Sequence, residues 1–367
     1  MPSSKAYPRR FAYFISPHGF GHASRAAAVI SALHSINPSV HFEIFTTIPE
    51  WFFKQSLITS YTYHYEKTDI GVIQKNAFFE DLEATLLDLN TIYPLRSTEV
   101  NRLANIVAQT DCEAVLCDIA PMGIEIARCA GVPSILIENF TWDWIYEGYL
   151  GEKEEFSRVI PYLKQLFEQA DFHIQTEPLC FLNDNAVLHA QPASRKPRIS
   201  AAETRSALGI SDHQKTVLIT MGGIPEKHYF LPTLKKHKEI HFILPGNYSS
   251  SLTEQNVTVL SHQSKFFHPD LVNACDAVVA KLGYSTIAEV FHAGIPMLYL
   301  SRPRFRESPY LASFVESKMP CAHIQTEDFE NGSWLPSLIA LLTLPKLHRT
   351  SPNGADQIAA YILDKIN

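Results

Sequence analysis

The chain's length, composition and charge exclude several classes of protein. Its 367 residues are enough for two globular domains, and 46% apolar with 19% charged residues is ordinary for a folded protein. A net charge of −7 argues against a protein that binds nucleic acid through a basic face. No apolar run reaches the roughly 18 residues of a membrane span, and residues 1–5 lack the apolar core of a signal peptide. We therefore expect a cytoplasmic protein, for which peripheral membrane contact stays open.

Apolar strands alternate with helical segments along the first half of the chain. In chain order, the patterns predict a strand at 11–15, a helix at 23–35, a strand at 41–46, helices at 81–89 and 98–109, a strand at 114–118, a helix at 123–130, and strands at 134–138 and 172–176. Strands that are apolar throughout and separated by helices are typical of a parallel sheet covered on both faces.

The alternation stops between 178 and 202, where we predict an interdomain linker, and then it restarts. Strands are predicted at 216–220, 240–244, 256–260, 277–280 and 297–300, with helices at 286–292 and 354–366. The predicted domains are 1–200 and 201–350, followed by a C-terminal helix at 351–367 that packs back on the N-terminal domain. The fold class is therefore α/β, with two Rossmann-like domains whose parallel sheets face each other across a cleft.

A glycine-rich turn follows the first predicted strand and reads Ser16-Pro17-His18-Gly19-Phe20-Gly21-His22-Ala23-Ser24-Arg25. Gly19 and Gly21 allow close approach of a ligand, and the helix that follows directs free N–H groups at it. The turn does not match a dinucleotide-binding fingerprint, because Ser24 replaces the third glycine and no acid ends the second strand.

His22 lies at the start of the predicted helix, where the helix dipole favours a neutral imidazole that can act as a general base. Arg25 lies one turn later on the same face and is predicted to orient an acceptor or a phosphate. His18 is predicted to support the loop. The alternatives are that His22 only hydrogen-bonds its own loop and that Arg25 is a surface residue.

A second glycine-rich turn follows the strand at 277–280 and reads Lys281-Leu282-Gly283-Tyr284-Ser285-Thr286. Gly283, Ser285 and the helix N–H groups behind them are predicted to cradle a diphosphate. Glu289 is the acid best placed to bind ribose hydroxyls. Thr286 and Glu289 also have the spacing of a capping box, which is a purely structural alternative.

Two further segments carry candidate ligand contacts. Trp142 and Trp144 flank Asp143 after the strand at 134–138 and are predicted to form a sugar-stacking platform, with buried loop packing as the alternative. Arg304 and Glu307 follow the strand at 297–300 and could bind phosphates and hydroxyls, with a solvated charged loop as the alternative. No Asp-x-Asp motif and no C-x-x-C pair occurs, so no metal site is predicted.

These residues resemble the two-domain GT-B glycosyltransferases, and more closely the glycosyltransferase-like N-terminal domain of plant L-arabinose kinases and its bacterial relatives. The resemblance runs from about residue 10 to 365 and rests on residues 18–25, 139–146, 281–289 and 304–309. It implies that the C-terminal domain binds the donor and the N-terminal domain the acceptor, and that His22 is the base. The residues implied on the donor side are Gly222, Gly223, Gly283, Tyr284, Ser285, Thr286, Glu289, Arg304 and Glu307, and those on the acceptor side are His18, Gly19, Gly21, Trp142 and Asp143.

We therefore predict an inverting glycosyltransferase that transfers a hexosyl or pentosyl group from a nucleotide-diphosphate sugar, expected to be a UDP sugar, to an unidentified acceptor hydroxyl. No cofactor is predicted beyond the nucleotide sugar as co-substrate, and no metal. His22 would deprotonate the acceptor, and the helix dipole behind Ser285 and Thr286 would stabilise the departing diphosphate. Two alternatives stay open: a nucleotide-sugar hydrolase or epimerase on the same fold, and a non-catalytic sensor that binds nucleotide sugars.

Overall fold

The computed structural model describes residues 9–76, 78–222, 230–248, 250–261 and 264–366, which form two compact α/β units. The first unit contains the chain up to Ile73, then Glu80–Ala193, and the chain from Pro352 onward. The second contains Gln74–Phe79 and Ser194–Ser351. No helix among these residues is long and apolar enough to cross a membrane.

The first unit consists of strands and helices in close alternation. They are β1 (Arg10–Ile15), α1 (Gly19–Ile36), β2 (His41–Thr46), α2 (Glu50–Ser56), β3 (Ser60–Tyr65), α3 (Leu82–Ile92), α4 (Ser97–Gln109), β4 (Ala114–Asp118), α5 (Pro121–Ala130), β5 (Ser134–Glu138), α6 (Trp142–Glu147), a 3₁₀ helix at Glu154–Arg158, α7 (Ile160–Glu168), β6 (Phe172–Thr176) and β7 (Leu188–Ala190). The last helix of the chain, at Gly354–Lys365, also belongs to this unit and is numbered α15 below.

Within the described residues, the strands of the first unit form one parallel sheet in the order β3-β2-β1-β4-β5-β6-β7. The strand order reverses between β1 and β4, because β2 and β3 extend the sheet on one side and β5 to β7 extend it on the other. The register pairs Ile15 with Asp118. The carboxyl ends of β1 and β4 therefore meet at the switch point, where open α/β sheets bind their ligands.

Helix α1 covers one face of this sheet and packs against α15. Small residues on α1, such as Ala23, Ala26 and Ala27, are fully buried in the same core cluster as Ile358 and Ile362 of α15. Small side chains allow two helices and a sheet to approach closely. The prediction that the C-terminal helix packs back on the N-terminal unit is therefore confirmed.

Helix α5 lies close to β1 and β4 because Gly123 has no side chain. A Cβ atom at this position would lie 2.7 Å from Cys117 Sγ and 2.8 Å from Phe14 Cβ. This contact fixes the helix against the two strands whose ends form the switch point.

The second unit has the same alternating organisation. Its elements are α8 (Ala201–Leu208), β8 (Lys215–Thr220), α9 (Leu231–Leu234), β9 (Ile240–Tyr248), β10 (Leu252–Glu254), β11 (Val257–Ser261), α10 (His268–Ala274), β12 (Ala277–Lys281), α11 (Tyr284–Ala293), β13 (Met297–Leu300), α12 (Ser308–Lys318), β14 (Cys321–His323), α13 (Thr326–Asn331) and α14 (Leu335–Leu341).

The second sheet has the order β10-β11-β9-β8-β12-β13-β14 over the part of the chain that the structure describes, and only the pairing of β10 with β11 is antiparallel. Its strand order reverses between β8 and β12, where Thr220 pairs with Ala280. Separate apolar clusters cover the sheet, one including Trp334 and Leu338 and the other including Ile287 and Leu311.

The structure departs from the sequence prediction in two places that affect the site. Helix α1 begins at Gly19, four residues before the predicted start, so the glycine-rich turn forms the first turn of the helix. The predicted linker at 178–202 contains β7, which pairs with β6 as the last strand of the first sheet. This strand has three residues, too few for a sequence pattern to reveal.

Candidate functional site

Three side chains meet at the switch point of the first sheet. His22 and Arg25 lie one turn apart on α1, and Asp118 ends β4. His22 Nδ1 lies 2.9 Å from Asp118 Oδ1, while Arg25 Nη2 and Nε donate to Asp118 Oδ1 and Oδ2 at 2.7 and 2.8 Å. All three side chains are buried, and we call them the His22–Arg25–Asp118 cluster.

Asp118 is held in its ionised form by its two partners. Burial acts to raise the pKa of this carboxyl group, but Arg25 and His22 outweigh burial, and the pKa lies below its usual value. An ionised carboxylate only accepts hydrogen bonds, so the proton of a neutral His22 belongs on Nδ1, facing Asp118. This leaves the lone pair on His22 Nε2 as the basic position.

Arg25 has its guanidinium group in internal contacts. Besides Asp118, it donates from Nη1 to Asn139 Oδ1 at 2.7 Å, and its side chain is 1% exposed. The predicted role of Arg25 in orienting an acceptor or phosphate does not fit this position, because the group is both buried and engaged. Arg25 instead fixes the position of the Asp118 carboxylate, which in turn contacts His22.

His18 supports the loop beneath it, as the sequence predicts. It is the residue before α1, and its Nδ1 accepts a hydrogen bond from the Val72 N–H at 3.3 Å. A Cβ at Gly71 would lie 2.6 Å from His18 Cβ, so the two segments are in close contact. Gly19, at a φ of 65°, and Gly21 lie in the first turn of α1.

Trp142 is a core residue rather than a platform. It is fully buried, with ring centroids 5.2 Å from His18, 5.9 Å from His22 and 6.0 Å from Tyr146. No ring face is left for a sugar, so the buried-packing alternative describes Trp142 and the stacking prediction does not. Asp143, at the start of α6, is also buried, and burial raises the pKa of its carboxyl group.

A second buried acid, Asp69, lies in the loop that His18 contacts. Its carboxyl group accepts from the Ile70 N–H at 2.7 Å and from the Tyr93 hydroxyl at 3.2 Å. Burial raises the pKa of Asp69 to about 7, and these hydrogen bonds only partly oppose it. Asp69 is not among the predicted site residues, since neither its neighbours in sequence nor its spacing marks it.

The second candidate site lies at the switch point of the second sheet, where α11 begins. Gly283 is the residue before the helix, and Tyr284, Ser285 and Thr286 form its first turn. Gly283 has no side chain to cap this end and no acid lies in the first turn, so its N–H groups and dipole favour an anion. Ser285 and Thr286 are half-buried, whereas Tyr284 is buried.

Gly222 and Lys281 meet beside this helix end. Gly222 follows β8 with a φ of 69°, which favours glycine, and a Cβ there would lie 3.0 Å from Lys281 Cε and 3.6 Å from its Nζ. An ammonium group thus lies beside the turn predicted to bind phosphates. Lys281 was part of the sequence motif but was not predicted as a ligand contact. Gly223, the other predicted residue of this turn, lies outside the described residues.

Gly283 differs from Gly222, because none of the described residues of the unit requires a glycine there. Its φ of −158° is ordinary extended backbone, and a Cβ would meet no atom of those residues within 4 Å. The open space in front of it is compatible with close approach of a ligand.

Glu289 is buried on α11 and paired with Arg195 and with the imidazole of His268. Arg195 Nη2 and Nε lie 2.9 and 3.0 Å from its Oε1, and His268 Nδ1 lies 2.7 Å from its Oε2. Burial acts to raise the pKa of Glu289, but Arg195 and His268 outweigh it and the pKa lies below its usual value. The capping-box alternative is wrong, because Thr286 lies inside the helix rather than before it.

Arg304 and Glu307 have different environments. Arg304 is exposed, whereas Glu307 is buried directly before α12 and lies 3.8 Å from Arg302 Nη2. The solvated-loop alternative therefore fits Arg304 but not Glu307. Among the described residues, no group of three His, Cys, Asp or Glu side chains is arranged to hold a metal ion.

Comparison with known proteins identifies the family. Residues 9–333 match the model of glycosyl transferase family 1. The chain belongs to this family. It is 27% identical over 368 residues to an L-arabinokinase of Arabidopsis thaliana, a match that covers 97% of this chain and 34% of that protein. The chain thus spans about a third of the length of this relative.

Two further similarities extend this result. A UDP-N-acetylglucosamine–N-acetylmuramyl-(pentapeptide) pyrophosphoryl-undecaprenol N-acetylglucosamine transferase of Bacillus subtilis is 23% identical over 304 residues, which cover 77% of this chain and 76% of that protein. The structure of a UDP-glucosyltransferase from Polygonum tinctorium aligns with a TM-score of 0.64 over 99% of both chains at 12% identity. This protein therefore has the GT-B fold and belongs to a glycosyltransferase family, which confirms the predicted fold and resemblance.

Proposed function

We propose that this protein is an inverting, metal-independent glycosyltransferase that transfers a sugar from a UDP sugar to an acceptor hydroxyl. The observation that carries the proposal is the pairing of His22 with Asp118 at the switch point of the first sheet. It supplies a general base in the first unit. The uncapped end of α11 supplies a diphosphate site in the second.

The base acts through the unpaired nitrogen of His22. Nε2 takes the proton of the acceptor hydroxyl as that oxygen forms a bond to the anomeric carbon. The bond from the anomeric carbon to the diphosphate oxygen breaks, and its electron pair leaves with UDP. Asp118 stabilises the imidazolium that forms and fixes its orientation, while Arg25 and Asn139 hold Asp118 in place.

The second unit binds the nucleotide and stabilises the leaving group. The N–H groups of the first turn of α11 and the Lys281 ammonium meet the charge that develops on the diphosphate, and this needs no reorganisation during the reaction. Glu289 accepts a hydrogen bond from the ribose. The names of the Bacillus subtilis and Polygonum tinctorium proteins, which both specify UDP sugars, support UDP as the nucleotide.

The test is an assay that follows nucleotide release and sugar transfer together. His22→Ala is expected to keep UDP binding and to lower transfer roughly 10²–10⁴-fold, the usual contribution of a general base. Full transfer activity in His22→Ala would end this assignment, and Asp143 would be the next base to test. Release of UDP at a rate that no acceptor changes would identify a hydrolase, and tight binding without release would identify a sensor.

The donor site is tested separately with Gly283→Val. Because a Cβ atom at Gly283 would meet no atom of the described residues within 4 Å and the backbone there is extended, the variant is expected to fold. It should lose UDP binding if the diphosphate approaches this backbone closely. Gly151→Val is the matched control, since its Cβ also points into open space but lies in the other unit. Equal UDP affinity in both variants would contradict the proposed diphosphate site.

A further inference from the structure

Arg195 is the second residue of Ser194–Ser351, the long segment of the second unit, directly after the point where the chain leaves the first unit. Its guanidinium group binds Oε1 of Glu289 with two nitrogens, and it lies over the Phe267 ring at 5.1 Å. The side chains of Arg195 and Glu289 are 9% and 3% exposed. The segment that connects the two units is thus tied to the helix that carries the proposed donor site.

The contacts of Glu289 leave it able to bind a ligand. A carboxylate offers about four acceptor positions. Arg195 Nε and Nη2 occupy the two on Oε1, and His268 Nδ1 occupies one on Oε2. Among the residues that the structure describes, no third group occupies the remaining position on Oε2, so a hydroxyl group can be accepted there without displacing Arg195 or His268.

The charges around Glu289 come from two segments. Arg195 faces it from the connecting segment and His268 from α10, and both stabilise the ionised form. Arg198 lies over the same Phe267 ring at 4.1 Å, and the backbone N–H of this residue donates to Asp270 rather than to Glu289. A carboxylate buried without a strong cationic partner becomes protonated near neutral pH.

We propose that Arg195 is a positioning residue of the nucleotide site, which holds Glu289 ionised and oriented so that Oε2 accepts a ribose hydroxyl. The inference rests on the proposed binding of the donor in the second unit. Arg195 itself does not contact the ligand in this assignment. Its removal should therefore alter how nucleotide binding depends on pH, because an acceptor that becomes protonated no longer favours the same hydrogen bond.

The experiment measures UDP affinity by calorimetry at pH 5.0, 6.5 and 8.0 for the full chain and for Arg195→Met. The ratio of the variant's affinity to that of the wild type cancels the titration of UDP itself. We expect the ratio of the Arg195→Met affinity to the wild-type affinity to be close to its maximum at pH 8.0 and about tenfold lower at pH 5.0. A Glu289 pKa one unit above the assay pH would leave about a tenth of this carboxyl group ionised. Arg195→Lys, which keeps the charge, should shift less in the same direction.

Two controls separate positioning from other roles. Arg198→Met removes the other guanidinium group that lies over the Phe267 ring, and the affinity of this variant relative to the wild type should not vary with pH. In a Glu289→Gln background, Arg195→Met should add no pH dependence, because the amide does not titrate. If Arg195→Met does not fold, Arg195→Lys carries the test alone.

The outcomes distinguish this inference from the proposed function. If the affinity of Arg195→Met relative to the wild type is the same at every pH, whether reduced or not, the positioning role is wrong. UDP binding by the wild type would still support the donor site. Equal pH dependence in Arg198→Met would also overturn it. Failure of the wild-type protein to bind UDP at any pH would overturn the donor site and this inference with it.

Discussion

At the scale of single residues, two buried aspartates of the first unit differ because of their neighbours. Asp118 and Asp69 are both almost completely buried. Arg25 beside Asp118 holds the pKa of that carboxyl below its usual value, against the effect of burial. Among the described residues, the groups that donate hydrogen bonds to Asp69 are neutral, so burial raises the pKa of this carboxyl to about 7. The same residue type is therefore expected to be a fixed anion at one position and a titrating group at the other.

Replacing Asp118 should affect both stability and reaction. In Asp118→Asn, the buried Arg25 loses its charged partner, and we expect the free energy of unfolding to fall by about 3–5 kcal/mol. Transfer should also fall, while UDP binding in the second unit is unchanged. Urea unfolding and UDP calorimetry measure the two effects. Asp364→Asn, at an exposed position of α15, is the control, and equal stability of both variants would contradict the role given to Asp118.

Asp69 predicts a specific pH dependence of stability. Its pKa is about 7 when folded and about 4 when unfolded, so the folded state favours the neutral carboxyl. This contribution is complete below about pH 4 and is lost as the pH rises through 7. Asp69→Asn does not titrate, so the wild type should lose stability relative to the variant between pH 4 and 8, by up to about 4 kcal/mol at about 1.4 kcal/mol per pKa unit. Parallel stability curves over this range would refute the assignment.

At the scale of elements, the candidate site of each unit lies at the switch point of its sheet, where a helix follows the carboxyl end of a strand. The helix must lie at the correct height above the strands for its side chains to reach the strand ends. In the first unit the site side chains lie on α1, and the neighbouring helix α5 follows the strand that ends in Asp118. Gly123 sets how closely α5 approaches β1 and β4. A side chain added at Gly123 should therefore disturb the end of β4, where Asp118 lies.

Gly123→Ala is expected to lower the free energy of unfolding by about 1–3 kcal/mol, because the added methyl group would lie within 3 Å of Cys117 and Phe14. Transfer should fall further than the loss of folded protein explains. Gly151→Ala, where the added Cβ meets nothing within 4 Å, should change neither. Thermal unfolding followed beside activity provides the measurement, and identical melting temperatures would count against the close contact.

The fold was predictable from the sequence to the extent that its strands are apolar throughout. Strands β2, β4, β5, β6 and β13 have the predicted bounds, since a strand that is mostly buried reads as a short, largely apolar run between turns. Strand β3, Ser-Tyr-Thr-Tyr-His-Tyr, was missed because it lies at the edge of the sheet and is only partly buried. Its polar residues resemble those of a loop.

The candidate sites were predictable only where their residues are close in sequence. The glycine-rich turns and the histidine and glutamate that follow them form local patterns. Asp118 lies 93 residues from Arg25, and Arg195 lies 94 residues from Glu289, so no local pattern joins these pairs. The one available signal was an acid at the carboxyl end of a predicted strand. The sheet order that brings Asp118 beside α1 comes only from the structure.

At the scale of the whole molecule, the chain leaves the first unit for the last time after Ala193 and returns to it at Pro352. Helix α15 completes the core of the first unit, with Ala355, Ile358 and Ile362 buried. The stability of the first unit therefore depends on residues that follow the second.

Ile358→Ala should lower the stability of the first unit by about 2–5 kcal/mol, the usual cost of such a cavity. Leu338→Ala is the reciprocal variant, because Leu338 is equally buried in the core of the second unit. Amide hydrogen exchange should show faster opening of β1 and β2 in the first variant and of β8 and β9 in the second. Faster opening of the same unit in both variants would contradict this division of the core.

The position of α15 also sets the order in which a nascent chain can fold. The ribosome completes α15 only after the entire second unit has been made, so the face of α1 that α15 covers stays open to solvent meanwhile. At about 5–20 residues per second, that interval lasts on the order of ten seconds or more. The second unit can finish folding before the first. During synthesis, the half of the protein that carries the candidate base is thus the more exposed to chaperones and to misassociation.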